Sequence, residues 1–307
     1  MTGGGTGAGV LAGASRRDRQ RLAVDRLAGV LFRVAGVSTI ALLAGIFAML
    51  AYNSAAFLAQ ASPVDFFTGS QWDPDARFGI VPLVTSTALV SAGAMLLAVP
   101  VGILTATFLA ELAPRGVAAV LKPAIELLAA VPSVAIGFLG IVLVGPQLAR
   151  WLGVSSGLNA LNGAILLAVM ALPTIITVSE DAIRAVPASY REASTGLGAT
   201  RWQTLWQVTL PAAVPGLLAA VLLGLGRALG ETMTVLMATG NAAAPPRGFL
   251  DAVRTITATI AIEMGEVPYQ TTHYFALFAV AMVLFLITLV VNLAGELFTA
   301  RLRRYLE

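Results

Sequence analysis

The chain has 307 residues, 58% of them hydrophobic and 11% charged, with a mean hydropathy of +0.86 and a formal charge of +3. That balance defines an integral membrane protein, and its few basic residues, clustered near the ends of apolar segments, exclude a nucleic-acid footprint. The absence of cysteine excludes a disulfide framework, a thiolate metal site and a cysteine nucleophile; a single histidine, His273, excludes a multi-histidine metal centre.

From the amino terminus, residues 1–15 are rich in Gly and Ala and 16–26 are charged, which predicts a disordered tail and a basic anchor. Residues 1–26 are therefore set apart from a membrane domain over 27–307. The first apolar run, 34–52, is longer than a signal-peptide core and reads as a retained helix, although Ala59-Gln60-Ala61 imitates a cleavage site. Further runs at 80–110, 123–145, 163–179, 212–240 and 274–295 are each long enough to cross a hydrocarbon core of about 30 Å. The fold class is all-α: a polytopic membrane protein with six transmembrane helices.

Six spans place both termini on one side. The amino-terminal arm (Arg16, Arg17, Arg19, Arg21, Arg26, Arg33), the carboxyl end (Arg301, Arg303, Arg304) and the even-numbered connections (Arg115, Lys122, Arg184, Arg191, Arg201) share that side. The other side has Arg77, Arg150, Arg247 and Arg254, so the count is fourteen against four and both termini are expected to be cytoplasmic. Pro82, Pro100, Pro132, Pro173 and Pro215 predict bent helices in a packed bundle, and Gly137, Gly140, Gly224, Gly226 and Gly230 predict close backbone approach.

The connection 180–211, "EDAIRAVPASYREASTGLGATRWQTLWQVTLP", encodes short helices. Ser189 and Glu192 have capping-box spacing, Gly198 suits a helix end, and Thr200 with Gln203 repeats the box. Tyr190, Ala193 and Leu197 fall on one face, with Arg191 and Glu192 beside it, making a ridge that suits a partner's groove. An interfacial helix anchored in the headgroups by Trp202 and Trp206 fits the same pattern.

Glu192-Ala193-Ser194, three residues, Gly198, nine residues, then Val208-Thr209-Leu210-Pro211 resembles the EAA loop of ABC importer permeases, with Ser194 in place of the family's Ala. The resemblance implies a MetI-like permease fold and a coupling helix over 190–197 that enters a cleft of a separate ATPase subunit. The only lysine, Lys122, lies between Leu121 and Pro123, so this chain has no Gly-Lys-Ser/Thr phosphate loop. ATP is accordingly expected on the partner ATPase, with no cofactor on this chain and no enzymatic activity of its own. "GLGRALGETMTVLMATGN" (224–241) and "VRTITATIAIEMGE" (253–266) resemble the C-type permease of phosphate-specific (Pst) ABC importers. So do "QWDPDARFGIVP" (71–82), "LAAVPSVAIGF" (128–138) and "HYFALF" (273–278), while 242–248 agrees least. The resemblance implies a second homologous permease, two ATPase subunits, an external phosphate-binding protein and phosphate as substrate.

Within 212–240, Arg227 and Glu231 interrupt an apolar span. Each such charge costs roughly 2.5–3.5 kcal/mol at a membrane-helix centre, whereas an i,i+4 pair returns only a few tenths. A continuous helix would put Arg227, Glu231 and Thr234 on one face near mid-membrane. Arg227 would then face the translocation pathway as an oxyanion donor, neutralised by Glu231 when the pathway is empty; a buried ion pair that fixes assembly is the alternative. Ser133, after Pro132, would offer its hydroxyl to the ion or bond its own helix backbone. Glu126 reads as an interfacial acid, and Glu263, Glu266 and His273 as solvated or as contacts for the binding protein. A permease for molybdate, sulfate or phosphonate, a secondary transporter, and a non-transporting scaffold or sensor component are the rival functions.

Overall fold

A bilayer offers no water to backbone amides, so apolar runs close their hydrogen bonds internally as helices. The computed structural model describes the backbone of residues 16–73 and 77–306 and the side chains of 27–73 and 77–301. Its helices are α1 (Arg16–Gln60), α2 (Pro63–Thr68), α3 (Val81–Thr107), α4 (Arg115–Ala130), α5 (Ser133–Leu139), α6 (Gly145–Leu152) and α7 (Ala160–Arg184). They continue with α8 (Ala188–Gly196), α9 (Arg201–Thr204), α10 (Leu210–Gly230), α11 (Met233–Ala238), α12 (Ile256–Glu263) and α13 (Thr272–Leu306). A two-residue antiparallel hairpin, β1 (Trp72–Asp73) with β2 (Arg77–Phe78), sits before α3. Single π-helical turns join α3 to the next loop (Phe108–Leu112), α5 to α6 (Gly140–Val144) and α9 to α10 (Leu205–Thr209).

Six helical stretches are long and apolar enough to cross a membrane: Leu27–Gln60, Val81–Leu112, Ser133–Leu152, Ala160–Arg184, Arg201–Gly230 and Thr272–Arg301. Residues 1–15, expected to be a disordered tail, lie outside the described residues; the basic stretch from Arg16 continues directly into the first span. The chain forms two compact units that divide inside α1, one ending at Tyr52 and the other comprising Asn53–Glu307. In the first, the apolar side chains of the span are exposed, as a lipid-facing surface requires.

The second unit is built on α3 against α7. Val90, Ala94, Ala98, Gly102 and Ala106 recur every four residues on α3 and are all buried, so the ladder brings the two backbones close. Ile175 of α7 is the knob between neighbours: a methyl at Gly102 would lie 2.6 Å from its Cγ2, and one at Gly224 of α10 2.6 Å from its Cγ1. Gly137 and Gly140 also lie against neighbouring side chains, as expected of close packing, but Gly226 and Gly230 face open space. Asn162, fully buried on α7, donates to Gly140 O at 3.0 Å and Ala238 O at 3.3 Å, tying a π turn and α11 to α7.

Two expected spans are interrupted. The run 123–145 is not one helix: Val131 (ψ 127°) and Pro132 (ψ 138°) are extended, because proline disfavours the helical conformation of the residue before it. The third span accordingly begins at Ser133. The run 212–240 breaks at Glu231, whose φ of −71° and ψ of 133° separate α10 from α11. Gly224→Ala is therefore expected to destabilise the protein by about 1–3 kcal/mol through overpacking against Ile175. Gly226→Ala should be neutral or stabilising by up to about 1 kcal/mol, because it only removes a helical glycine. Thermal unfolding midpoints of the two purified variants check the contrast.

Candidate substrate site and coupling surface

Glu231 ends α10, so Arg227 stands in the last turn of that helix, where a cation complements the macrodipole. The break overturns the expectation that Arg227, Glu231 and Thr234 share one continuous helical face. Glu231 Oε1 turns forward along the chain and accepts from the backbone N–H of Thr234 at 3.4 Å, with the Thr234 hydroxyl oxygen also 3.4 Å away. No ion pair joins Arg227 to Glu231 among the described residues, and Arg227 is exposed, so the expected neutralising pair is not formed within this chain. The physical reason is that the carboxylate turned toward the next helix gains a backbone N–H donor there, whereas an Arg-before-Glu pair is the weaker order.

Thr234 is fully buried, and its hydroxyl donates to Ser133 O at 3.1 Å and lies 3.0 Å from Met170 Sδ. Ser133 begins α5 just after the Val131–Pro132 break, so the two broken spans meet here. Its carbonyl makes this contact, and among the described residues its hydroxyl makes no bond to its own helix, contrary to that expectation. Ser133, Glu231 and Thr234 are thus brought together, with Arg227 one turn earlier on α10. Leu223, Gly226, Arg227 and Gly230 form an uncovered stripe along α10, polar only at Arg227.

At the end carrying α8, the ridge residues Tyr190, Ala193 and Leu197 are exposed, Leu197 at 91%, with Glu192 beside them. The predicted Ser189–Glu192 capping box is absent: α8 starts at Ala188 behind Pro187, which puts Ser189 inside the first turn with no side-chain cap. The Thr200–Gln203 box is present in both directions, and Gly198 takes the left-handed φ of +87° that ends α8. Ser194, the departure from the EAA pattern, places its hydroxyl 2.9 Å from Thr204 Oγ1 and so ties α8 to α9. Trp202 and Trp206 pack edge to face at 5.7 Å and remain largely exposed. Leu210 and Pro211 start α10 immediately after a π turn.

Arg191 folds back onto its own chain: it pairs with Glu111 at 2.6 Å and donates to Ile183 O and Val186 O. Beside it, Glu180, 7% exposed, pairs with Lys122 of α4 at 2.6 Å and with Arg184 at 2.7 Å, while Arg184 also reaches Leu109 O. Sequence reasoning missed this cluster, although Glu180 and Arg184 have the favourable Glu-before-Arg i,i+4 order. Glu126 is exposed on α4, as an interfacial acid would be.

At the opposite end, Glu263 corrects the expectation of solvated acids. It is 7% exposed and accepts from Trp72 Nε1 at 3.0 Å and Arg254 Nη1 at 2.9 Å, with His273 Nε2 at 2.8 Å. His273 is likewise only 18% exposed; Glu266 remains exposed. No local spacing announces contacts among residues 72, 254, 263 and 273, because they join four separate elements. A nearby cavity of about 700 Å³, lined by residues including Ser62, Asp65, Gln71, Arg77 and Phe78, contains none of the expected site residues.

Six apolar spans, broken helices meeting inside the bundle and an exposed helical loop define a multi-pass transport permease. The chain belongs to the family described as binding-protein-dependent transport system inner membrane components, which matches residues 98–304; it is a family of transport subunits, not of enzymes. It is 40% identical over 226 residues to the probable ABC transporter permease protein YqgH of Bacillus subtilis, covering 73% of each chain. It is 33% identical over 278 residues to the phosphate transport system permease protein PstC 1 of Mycobacterium tuberculosis, covering 78% of this chain and 82% of that one. Among solved structures, a bacterial ABC transporter importing alginate superposes with a TM-score of 0.62 at 17% identity, over 92% of this chain and 99% of that one. The inward-facing MetNI methionine ABC transporter does so with 0.55 at 20% identity, over 73% and 94%. These likenesses show the MetI-like ABC permease fold.

Because Arg191 holds α8 through one ion pair and two carbonyl bonds, Arg191→Ala should raise the rate of limited proteolysis within 185–200 about tenfold. Glu111→Gln should raise it less, since the carbonyl bonds remain. Timed digestion of the purified protein reads the order.

Proposed function

We propose that this chain is the transmembrane permease subunit of an ATP-driven importer that moves inorganic phosphate across the cytoplasmic membrane. Both termini lie in the cytoplasm, as the fourteen-to-four basic asymmetry indicates. The observation that carries the reading is Arg227: a permanently charged guanidinium in an apolar span, exposed on α10 and not engaged by Glu231. A charge at that depth is tolerated where it faces water or a partner, and the uncovered stripe of α10 is where a second homologous permease would complete a pathway. Relatives named as PstC phosphate permeases support phosphate as the substrate.

In this reading Arg227 offers the oxyanion a bidentate donor, and Ser133 and Glu231 form the wall beside it, with Thr234 buried behind them. Glu231 limits residence by repelling the bound anion rather than by pairing with Arg227, because its carboxylate is turned toward the Thr234 backbone N–H. Tyr190, Glu192, Ala193 and Leu197 present the coupling ridge to one of two separate ATPase subunits, and Arg191, Ser194, Gly198, Leu210 and Pro211 hold that ridge in place. ATP binds there, this chain needs no cofactor, and an external phosphate-binding protein delivers the ion to the opposite end. A permease for molybdate, sulfate or phosphonate shares all of this electrostatics, so selection rests on that delivery step.

Arg227→Gln is expected to reduce ATP-driven uptake of labelled phosphate into vesicles by at least about a hundredfold while the complex still assembles, as loss of a charged donor in a dry site predicts. Normal uptake in an assembled Arg227→Gln complex would assign the residue to subunit assembly instead. Uptake abolished by excess sulfate or molybdate would move the substrate to another oxyanion.

A further inference from the structure

We infer that Thr257 is a positioning residue for the Arg227–Glu231 site, and that α12 is the strut through which Glu263 holds it there. The inference rests on the proposed role of that site and adds a residue outside it.

The break at Glu231 leaves a backbone carbonyl that no helix can satisfy, and the Thr257 hydroxyl lies 2.7 Å from it. Proton bookkeeping gives the bond a direction. A carbonyl only accepts, so Thr257 must donate to Glu231 O. Thr255 Oγ1 lies 3.2 Å from Thr257 Oγ1 and also accepts from Ala258 N–H, so the Thr255 hydroxyl proton is the one free to point at Thr257. The chain of donors runs from Thr255 through Thr257 to the break and leaves no hydroxyl proton unused.

The base of α12 is fastened on a second side as well: Ile256 N–H donates to Thr87 Oγ1 of α3 at 3.0 Å. Glu263 closes the other end of the same helix, about 9 Å along its axis from Thr257. Its buried carboxylate is shared by Trp72, Arg254 and His273, and Arg254 Nε also bonds Asn241 O, which lies just beyond α11. Helix α12 is therefore clamped at both ends, and its one bond to the break sets where the carbonyl of Glu231, and with it the carboxylate and the end of α10, can lie.

The test uses the assembled complex with wild-type, Thr257→Val, Thr257→Ser and Glu263→Gln chains, and reads two quantities. Amide hydrogen exchange over 231–236 needs no assumption about the ion; the KM and maximal rate of ATP-driven phosphate uptake do. Thr257→Val should speed exchange and raise KM, each about fivefold, as for one lost half-buried hydrogen bond, with the maximal rate little changed, and Thr257→Ser should restore both. Glu263→Gln should act in the same direction, and it supplies the deciding lesion if Thr257→Val does not assemble. Unchanged exchange in these variants, or faster exchange with an unchanged KM, overturns the inference. A wild-type complex that takes up no phosphate instead defeats the phosphate reading, and exchange alone then decides the role of Thr257.

Discussion

The rest of the molecule depends on how it satisfies backbone polar groups where its helices are broken inside an apolar bundle. Two spans lose their regular hydrogen bonding, at Val131–Pro132 and at Glu231, and a threonine from another segment bonds beside the first break and at the second. Thr234 donates to Ser133 O, and Thr257 to Glu231 O. In hydrocarbon an open carbonyl costs several kcal/mol, so irregular backbone at that depth survives only where protein or a water-filled cavity meets it. The two bonds do more than satisfy the carbonyl of Glu231. They bring α5, α10, α11 and α12 to one place and leave Arg227 at the end of α10 with its side chain uncovered.

That arrangement gives the chain two stiff ends around one site. At the end carrying α8, the ion pair from Arg191 to Glu111 ties the exposed ridge to the π turn after α3, and the pair from Lys122 to Glu180 joins α4 to α7 beside it. At the other, the shared carboxylate of Glu263 ties the hairpin, α12 and the start of α13 together. Between them, Ile175 wedged against Gly102 and Gly224 locks α3, α7 and α10 at close range. A displaced coupling ridge would reach Arg227 through packed helices rather than through a loop, which is the physical requirement for passing work from an ATPase to a membrane site.

The six spans were legible because hydropathy over 20 or so residues is a bulk property that tertiary contacts do not reverse. The Thr200–Gln203 box and Gly198 were legible because capping is local. Ser189–Glu192 had the same spacing and misled, since Pro187 had already set the start of α8 two residues earlier. The break at Glu231 was invisible: "GRALGETMTVLMATG" contains no proline, and the group that stabilises the break, Thr257, comes 26 residues later. Likewise Glu263 looked like a loop acid because each of its donors lies on a different element. The candidate residues Ser133, Glu231 and Thr234 were found for their polarity in apolar runs, but the contacts that unite them, a serine carbonyl and a capping carboxylate, have no sequence signature.

The central claim is that the uncovered stripe of α10 around Arg227 lines an aqueous pathway once the transporter is assembled. The natural chain contains no cysteine, so one reactive thiol can be placed there without background. The most direct measurement is the rate at which a small, membrane-impermeant thiol reagent labels Gly226→Cys in the assembled complex in vesicles, with and without phosphate and ATP. The account predicts labelling that phosphate slows and that changes with the nucleotide state. A thiol that reacts only with a lipid-soluble reagent, or not at all in any state, would place that face against lipid or a sealed subunit interface and contradict it.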